Sequence, residues 1–469
     1  MKHLHFVLAT SLTVAAALPI GAQVQQSARR IEPATTSAEA RAAFLTALDA
    51  ANNIFPLRAR TVAAQAIAAD PSFGLARVLW AAASPEMPAT QRTAELDRGV
   101  ADAARASVGE LLFAAAIRSN VAGRTAEAHT IAGAATALVP DDPNVAYFYA
   151  QTSPAAELRE ALRDVTKRFA EFAPPYNVLA YQLYAAGDSA GALQTIQMYM
   201  RLASAQPNPH DSYAELLQFS GRLPEALAHY EAAARLDSAY DQAYAGMGEV
   251  HLLMGHGDQS RAAYAVAIAR APTAIARINS TGARALTFVA DGKPKDAIRE
   301  LSSLAMSAEQ QNLKPQAAAT YRAMALIEAV FGDRNAVAGN LAKAAALGGA
   351  EVPAQLRIAG IVYALTGDIA NARAAAAKFR DANVSGTAAQ QNASHELDAI
   401  VAAADKDLAT AQAELAKAGP SPTLGRAVVA EALKKAGRKS EAESLRALSA
   451  KTGTVTLFDV VGRTKLARL

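Results

Sequence analysis

Gly187-Asp-Ser189-Ala-Gly191 has the G-x-S-x-G spacing that lifts a nucleophilic serine onto a strained turn between a strand and a helix. That chemistry needs a strand before the serine. Val178–Ala186 carries helical periodicity instead, so Ser189 is read as the N-cap of the next helix. His395-Glu396 is half of a zinc helix without its second histidine, and is read as a charged helical surface. His210, His229, His251 and His256 include no i, i+4 pair, so no metal site is expected and the rings are read as packed or solvated. No G-x-x-x-x-G-K-[ST] run exists to cradle phosphates, and no cofactor is expected. Cysteine is absent, which removes disulfides, thiolate ligands and thiol nucleophiles. With no catalytic constellation, the expectation is a protein that is not an enzyme.

The elements that would carry any binding residues are helices. Hydrophobic residues make up 52% of the chain and charged residues 19%, enough apolar surface for a large core. Much of that fraction is alanine, the strongest helix former, which also lets helices approach closely. Strand-favouring runs are scarce, so the expected class is all-α. The formal charge of +3 comes from 46 basic and 43 acidic residues scattered along the chain. No basic stripe with interleaved aromatics exists, so nucleic acid is not an expected partner.

The strongest signal is internal repetition. Pro207–Tyr240 aligns with Asp241–Ala274: Ala214 falls on Gly248, Gly221 on Gly255, Tyr230 on Tyr264, Ala233 on Ala267 and Ser238 on Pro272. Small, turn and aromatic positions coincide together. After Gly221, the residues Leu223, Ala226, Leu227, Tyr230, Ala233 and Ala234 recur at helical spacing and form one apolar face. Pro224 sits in the first turn, where its missing N–H is harmless. Glycine-plus-polar turns recur at Gly123, Gly187, Gly221, Gly255, Gly292, Gly332, Gly367 and Gly437. Asp405–Leu415 supplies the unit hidden between the last two.

On these residues the chain resembles the tetratricopeptide-repeat (TPR) family. Tyr244-Ala-Gly-Met247-Gly248 matches the first part of the family's unit, and Ala226-x-x-x-Tyr230, Tyr264 and Pro272 match the second. His251 stands where the family has tyrosine. The resemblance covers roughly residues 35–450, most clearly 173–275. It implies a right-handed superhelical solenoid of about ten to twelve antiparallel helix pairs with a concave inner face. Residues 35–150 read as divergent repeats and 151–450 as the main array. The segment 451–469 reads as a tail, either extended or a short strand around Thr454–Phe458.

The family binds partners with the first helix of each unit, facing the groove. Carried over, the groove candidates are Asn177, Tyr181 and Tyr184, then Asp211, Glu215, Gln218 and Phe219, then Gln242, Glu249 and Leu252. Eleven of the 13 tyrosines lie between Tyr147 and Tyr264. Aromatic rings give large contact area at low entropic cost, and carboxylates can receive Lys or Arg. Tyr181, Asp211 and Glu215 do not suit a clamp for a C-terminal carboxylate, which needs basic and amide groups.

Lys2, then an apolar run from Phe6 to Leu18, Pro19 and a small-residue stretch read as a secretory signal peptide cut after Ala22, or else kept as an anchor. No later segment is long and apolar enough to span a membrane. The expectation is an exported protein, periplasmic or secreted, acting as a non-catalytic scaffold for a partner protein or peptide. The alternative is an exported carbohydrate-active enzyme with a helical toroid fold, which would want stacking aromatics where this chain has a single tryptophan.

Overall fold

The protein is described by a computed structural model covering residues 29–332, 334–350, 352–384, 386–448 and 453–469. The segment to residue 28, with the expected cleavage point at Ala22, lies outside the described residues. Every regular element described is a helix. The chain divides into two compact units, one ending at Phe172 and one beginning at Ala173.

The first unit holds α1 (Ala38–Asn52), α2 (Pro56–Ala69), α3 (Gly74–Ala82), α4 (Ala89–Ala103), α5 (Val108–Val121), α6 (Thr125–Leu138), α7 (Pro143–Gln151) and α8 (Leu158–Arg168). Alanine sets its packing: Ala59, Ala63 and Ala66 on α2 are fully buried where α1 and α3 press against it. Phe44 and Phe73 meet edge to face at 4.9 Å in the core, the geometry their quadrupoles favour.

The second unit continues with α9 (Pro174–Ala185), α10 (Ser189–Leu202), α11 (Pro207–Phe219), α12 (Leu223–Leu236), α13 (Asp241–Leu253), α14 (Gly257–Arg270), α15 (Ala274–Ala290), α16 (Pro294–Gln310) and α17 (Lys314–Phe331). After these come α18 (Arg334–Gly348), α19 (Pro353–Thr366), α20 (Ile369–Ala382), α21 (Ala388–Ala404), α22 (Leu408–Lys417), α23 (Thr423–Lys435), α24 (Lys439–Leu448) and α25 (Leu457–Ala467). Consecutive helices pair as antiparallel hairpins, and α25 stands outside that pairing. The first helix of each pair packs on the first helix of the next (α9 on α11, α11 on α13, α13 on α15), while the second helices keep further apart. Such a stack curves with its first helices on the inner side. The all-α repeat solenoid is therefore borne out.

The turns follow the glycine rhythm with instructive departures. At Gly221 the backbone takes φ +74°, and the Arg222 N–H reaches back to the Leu217 carbonyl at 2.9 Å, closing the end of α11. Gly332 instead has φ −147°. Between α21 and α22 the left-handed residue is Lys406, at φ 68°, which is why no glycine marked that unit. Ser189 is not the N-cap expected: Asp188 holds that position, accepting from the Gly191 N–H at 2.8 Å, and Ser189 is the first helical residue. The expected strand around Thr454–Phe458 is absent, and from Leu457 the tail is helical rather than extended. Thr456 and Asp459 form a reciprocal capping box that starts α25. Glu396 also departs from expectation: it is buried, bonded to Arg357 at 2.6 Å and to the Gly425 N–H at 2.9 Å. Among the described residues no helix is long and apolar enough to cross a membrane.

Small residues mark the closest crossings. A Cβ on Gly246 would stand 2.2 Å from the Tyr230 ring, and one on Gly248 2.9 Å from the Tyr264 ring. Alanine is the better helix former by about 1 kcal/mol, but an overpacked core costs about 1–3 kcal/mol. Gly246→Ala is therefore expected to destabilise the fold. Gly339→Ala, on the exposed face of α18 with nothing within 4 Å, is expected to stabilise it by about 0.5–1 kcal/mol. Thermal denaturation of both variants checks the opposite signs.

Candidate functional site

The first helices α9, α11 and α13 place equivalent positions of successive units side by side. Tyr181, Glu215 and Glu249 occupy one such position, each a 34-residue unit after the last, and so form a column across the inner face. The Tyr181 hydroxyl donates to Glu215. Asn177 and Asp211 share the position one turn earlier, Tyr184, Gln218 and Leu252 the one a turn later. Tyr184 and Phe219 lie with ring centroids 5.6 Å apart, both half-buried.

The column is acidic and starved of cations. Asp211 sits among Glu215, Glu249 and Asp241, and its acidity is weakened chiefly by burial and then by Glu215, so its pKa is pushed up to about 8. The Tyr240 hydroxyl bonds to it. Burial raises the Glu249 carboxyl too, against the pull of the Gln218 amide, which donates to it at 2.9 Å. Tyr181 is raised by burial and by Glu215 beside it. Among the described residues, none of Asp211, Glu215 and Glu249 forms an ion pair with a Lys, Arg or His. Elsewhere in the same unit, by contrast, Arg284 meets Glu300 at 2.7 Å and Arg261 meets Asp291 at 2.7 Å.

Gln218 is the hub. Its side chain is fully buried, donating to Glu249 and to the Gly453 carbonyl at 3.1 Å, and accepting from the Tyr230 hydroxyl at 3.3 Å. Not every candidate faces the groove. Leu252 belongs to the apolar core with Ile278 and Leu286. Asn177 is buried, and its Oδ1 has no hydrogen-bond partner among the described residues. Gln242 is exposed at the start of α13. Sequence reasoning missed Tyr240, which couples to Asp211, and missed Gly453 altogether.

The histidines remain outside this column. The Nδ1 atoms of His210 and His229 lie 3.0 Å apart, and both rings are held below the usual imidazole range, mainly by burial. The rings of His251 and His256 are 5.9 Å apart. Among the described residues, no three His, Asp or Glu side chains converge as metal ligands.

No family model matches the chain, and no curated protein matches it. Among solved structures it is similar to a thermophilic TPR protein of Thermus thermophilus, at 21% identity over 37% of this chain and 97% of that one, with a TM-score of 0.33. It is similar also to PilW, a type IV pilus biogenesis factor, at 12% identity over 42% of this chain and 92% of that one, TM-score 0.37. A third is the Cut9–Hcn1 hetero-tetramer of the APC/C, at 15% identity over 73% of each chain, TM-score 0.37.

Proposed function

We propose that this chain is a non-catalytic, exported scaffold that binds a protein segment bearing Lys or Arg on the inner face of α9, α11 and α13. The observation that carries this reading is the carboxyl column of Asp211, Glu215 and Glu249, which no cation compensates and which lies beside the Tyr184–Phe219 ring pair. Desolvation and the neighbouring carboxylates hold Asp211 protonated, and a cation arriving from outside favours its ionised form, so the arrangement suits a Lys or Arg supplied by a partner. The neighbouring rings supply the apolar contact that anchors such a segment. The apolar run Phe6–Leu18 supports export, to the periplasm or beyond.

The test is affinity capture from envelope extract with residues 23–469, beside a Tyr181/Tyr184/Phe219→Ala variant whose helicity is confirmed by circular dichroism. A protein held by the parent and lost by the variant, with elution by salt, is the expected outcome. Equal capture by both would place the interface elsewhere. No capture at all would overturn the scaffold reading and favour a screen for glycan hydrolysis.

A further inference from the structure

Tyr230 and Tyr264 hold the same place after the turn glycines Gly221 and Gly255, and both rings are buried where the two helices of a pair cross. After Gly292 that place is taken by Leu301. The small residue opposite is nevertheless kept: Ala214, Gly248 and Gly282 share one position in successive units. A Cβ on Gly248 would stand 2.9 Å from the Tyr264 ring. One on Gly282 would meet, among the described residues, only Leu304 Cδ2 at 3.8 Å. The backbone thus leaves room for a side chain that the chain itself does not supply. The room persists as a pocket of about 210 Å³ between the first helices α15 and α17, lined also by Leu301 and Leu304 of α16 and by Leu457.

The pocket continues the face that carries the acidic column. Asn279 and Leu286 in its lining occupy the repeat positions of Asp211 and Gln218, two units earlier. Between those rows the column runs Tyr181, Glu215, Glu249 and then Ala283, so its acidic character stops at α13. No charged side chain lines the pocket among the described residues. One continuous face therefore offers carboxyls on α11 and α13 and, one helix further on, an apolar hole. Only a segment with a cation followed by an apolar group matches both. The spacing follows from the helices: packed neighbours lie about 8–10 Å apart, so the pocket centre is about 12–15 Å from the Glu249 row. An extended chain covers that distance in about four residues.

We propose that this pocket is the apolar subsite of the inner groove, taking one aromatic or leucine-sized side chain from an extended partner segment whose Lys or Arg, about four residues away, enters the carboxyl column. The proposal rests on the scaffold reading above and adds to it a side-chain class and a spacing.

The test is fluorescence anisotropy on the full chain with three dye-labelled probes. The first is Arg-Arg-Gly-Gly-Gly-Phe, the second has Gly in place of Phe, and the third moves Phe next to the arginines. The first is expected to bind at least ~10-fold tighter than either other, as burial of one large apolar side chain gives. Gly282→Leu places its own side chain in the pocket. It is expected to melt no lower than the parent, since the glycine is helical and the space is free, and to hold all three probes within ~2-fold of one another. A phenylalanine that adds nothing, while Glu249→Gln still weakens the binding of every probe, would overturn the subsite and leave the scaffold reading standing. An advantage that survives in Gly282→Leu would mean that the ring is taken elsewhere, and would overturn it too. So would a variant that melts well below the parent, because the space would then already be filled. A parent that sediments as a dimer and becomes monomeric in Gly282→Leu would assign the pocket to a second copy and overturn the proposal. Failure of all three probes to bind would overturn both readings together.

Discussion

Replacing Tyr264 with alanine is expected to lower the unfolding free energy by about 3–5 kcal/mol, while replacing it with phenylalanine leaves stability unchanged or raises it. The ring is 1% exposed and packs flat on Gly248, filling the crossing between α13 and α14. Nothing nearby can collapse into the space that alanine would leave, since the facing position is already without a side chain. The hydroxyl tells the opposite story. It is buried and has no hydrogen-bond partner among the described residues, so its removal relieves a desolvation cost and breaks no bond. Tyr230, at the same position one unit earlier, donates to Gln218 at 3.3 Å, and Tyr230→Phe is expected to cost about 0.5–1.5 kcal/mol. Denaturant titration followed by circular dichroism measures all three. A destabilised Tyr264→Phe would mean that its hydroxyl has a bonding partner after all. Because a repeat array unfolds by neighbouring units rather than all at once, the loss is expected in the transition that covers α11–α16.

These two tyrosines also show what kind of information the sequence carries. Tyr230, Tyr264, Gly221 and Gly255 are local: each acts on its own hairpin or the next, so their spacing alone announces helix, turn and packing face. The column Tyr181–Glu215–Glu249 is legible for the same reason, because equal positions in equal units must stack. What the period could not convey is contact across many units. Glu396 was expected on a charged surface and is buried against Arg357, which comes from the preceding pair, and against Gly425. Leu252 stands in the groove register, but the longer helix α15 covers it with Ile278 and Leu286. The tail is the extreme case. Gly453 touches Gln218 more than two hundred positions earlier, and no local pattern in Thr454–Phe458 foretells a capping box that opens a helix inside the curve.

Gln218 lies between that tail and the carboxyl column, and the column has its own expected signature, a dependence of partner binding on pH. Asp211 holds its proton up to about pH 8 in the folded chain, against an ordinary value of 3.8. The folded state therefore carries a proton that the unfolded state has already lost between those limits. That contribution to stability is full below about pH 4 and disappears as pH rises through 8. A Lys or Arg side chain entering the column reverses the preference, because a cation within a few ångströms favours the ionised carboxyl. Binding then expels about one proton, and affinity gains about tenfold per pH unit below 8, roughly 100-fold between pH 6 and pH 8. Asp211→Asn, which cannot release a proton, is expected to flatten both the stability profile and the affinity profile. Calorimetry with the captured partner, or with an arginine-rich synthetic peptide as probe, decides the matter when run in two buffers of different ionisation enthalpy. A buffer-dependent heat that vanishes in Asp211→Asn identifies this carboxyl as the proton's source. A heat independent of buffer, with affinity flat across the range, would mean that no cation enters beside Asp211 and that the partner reads the Tyr184–Phe219 rings alone.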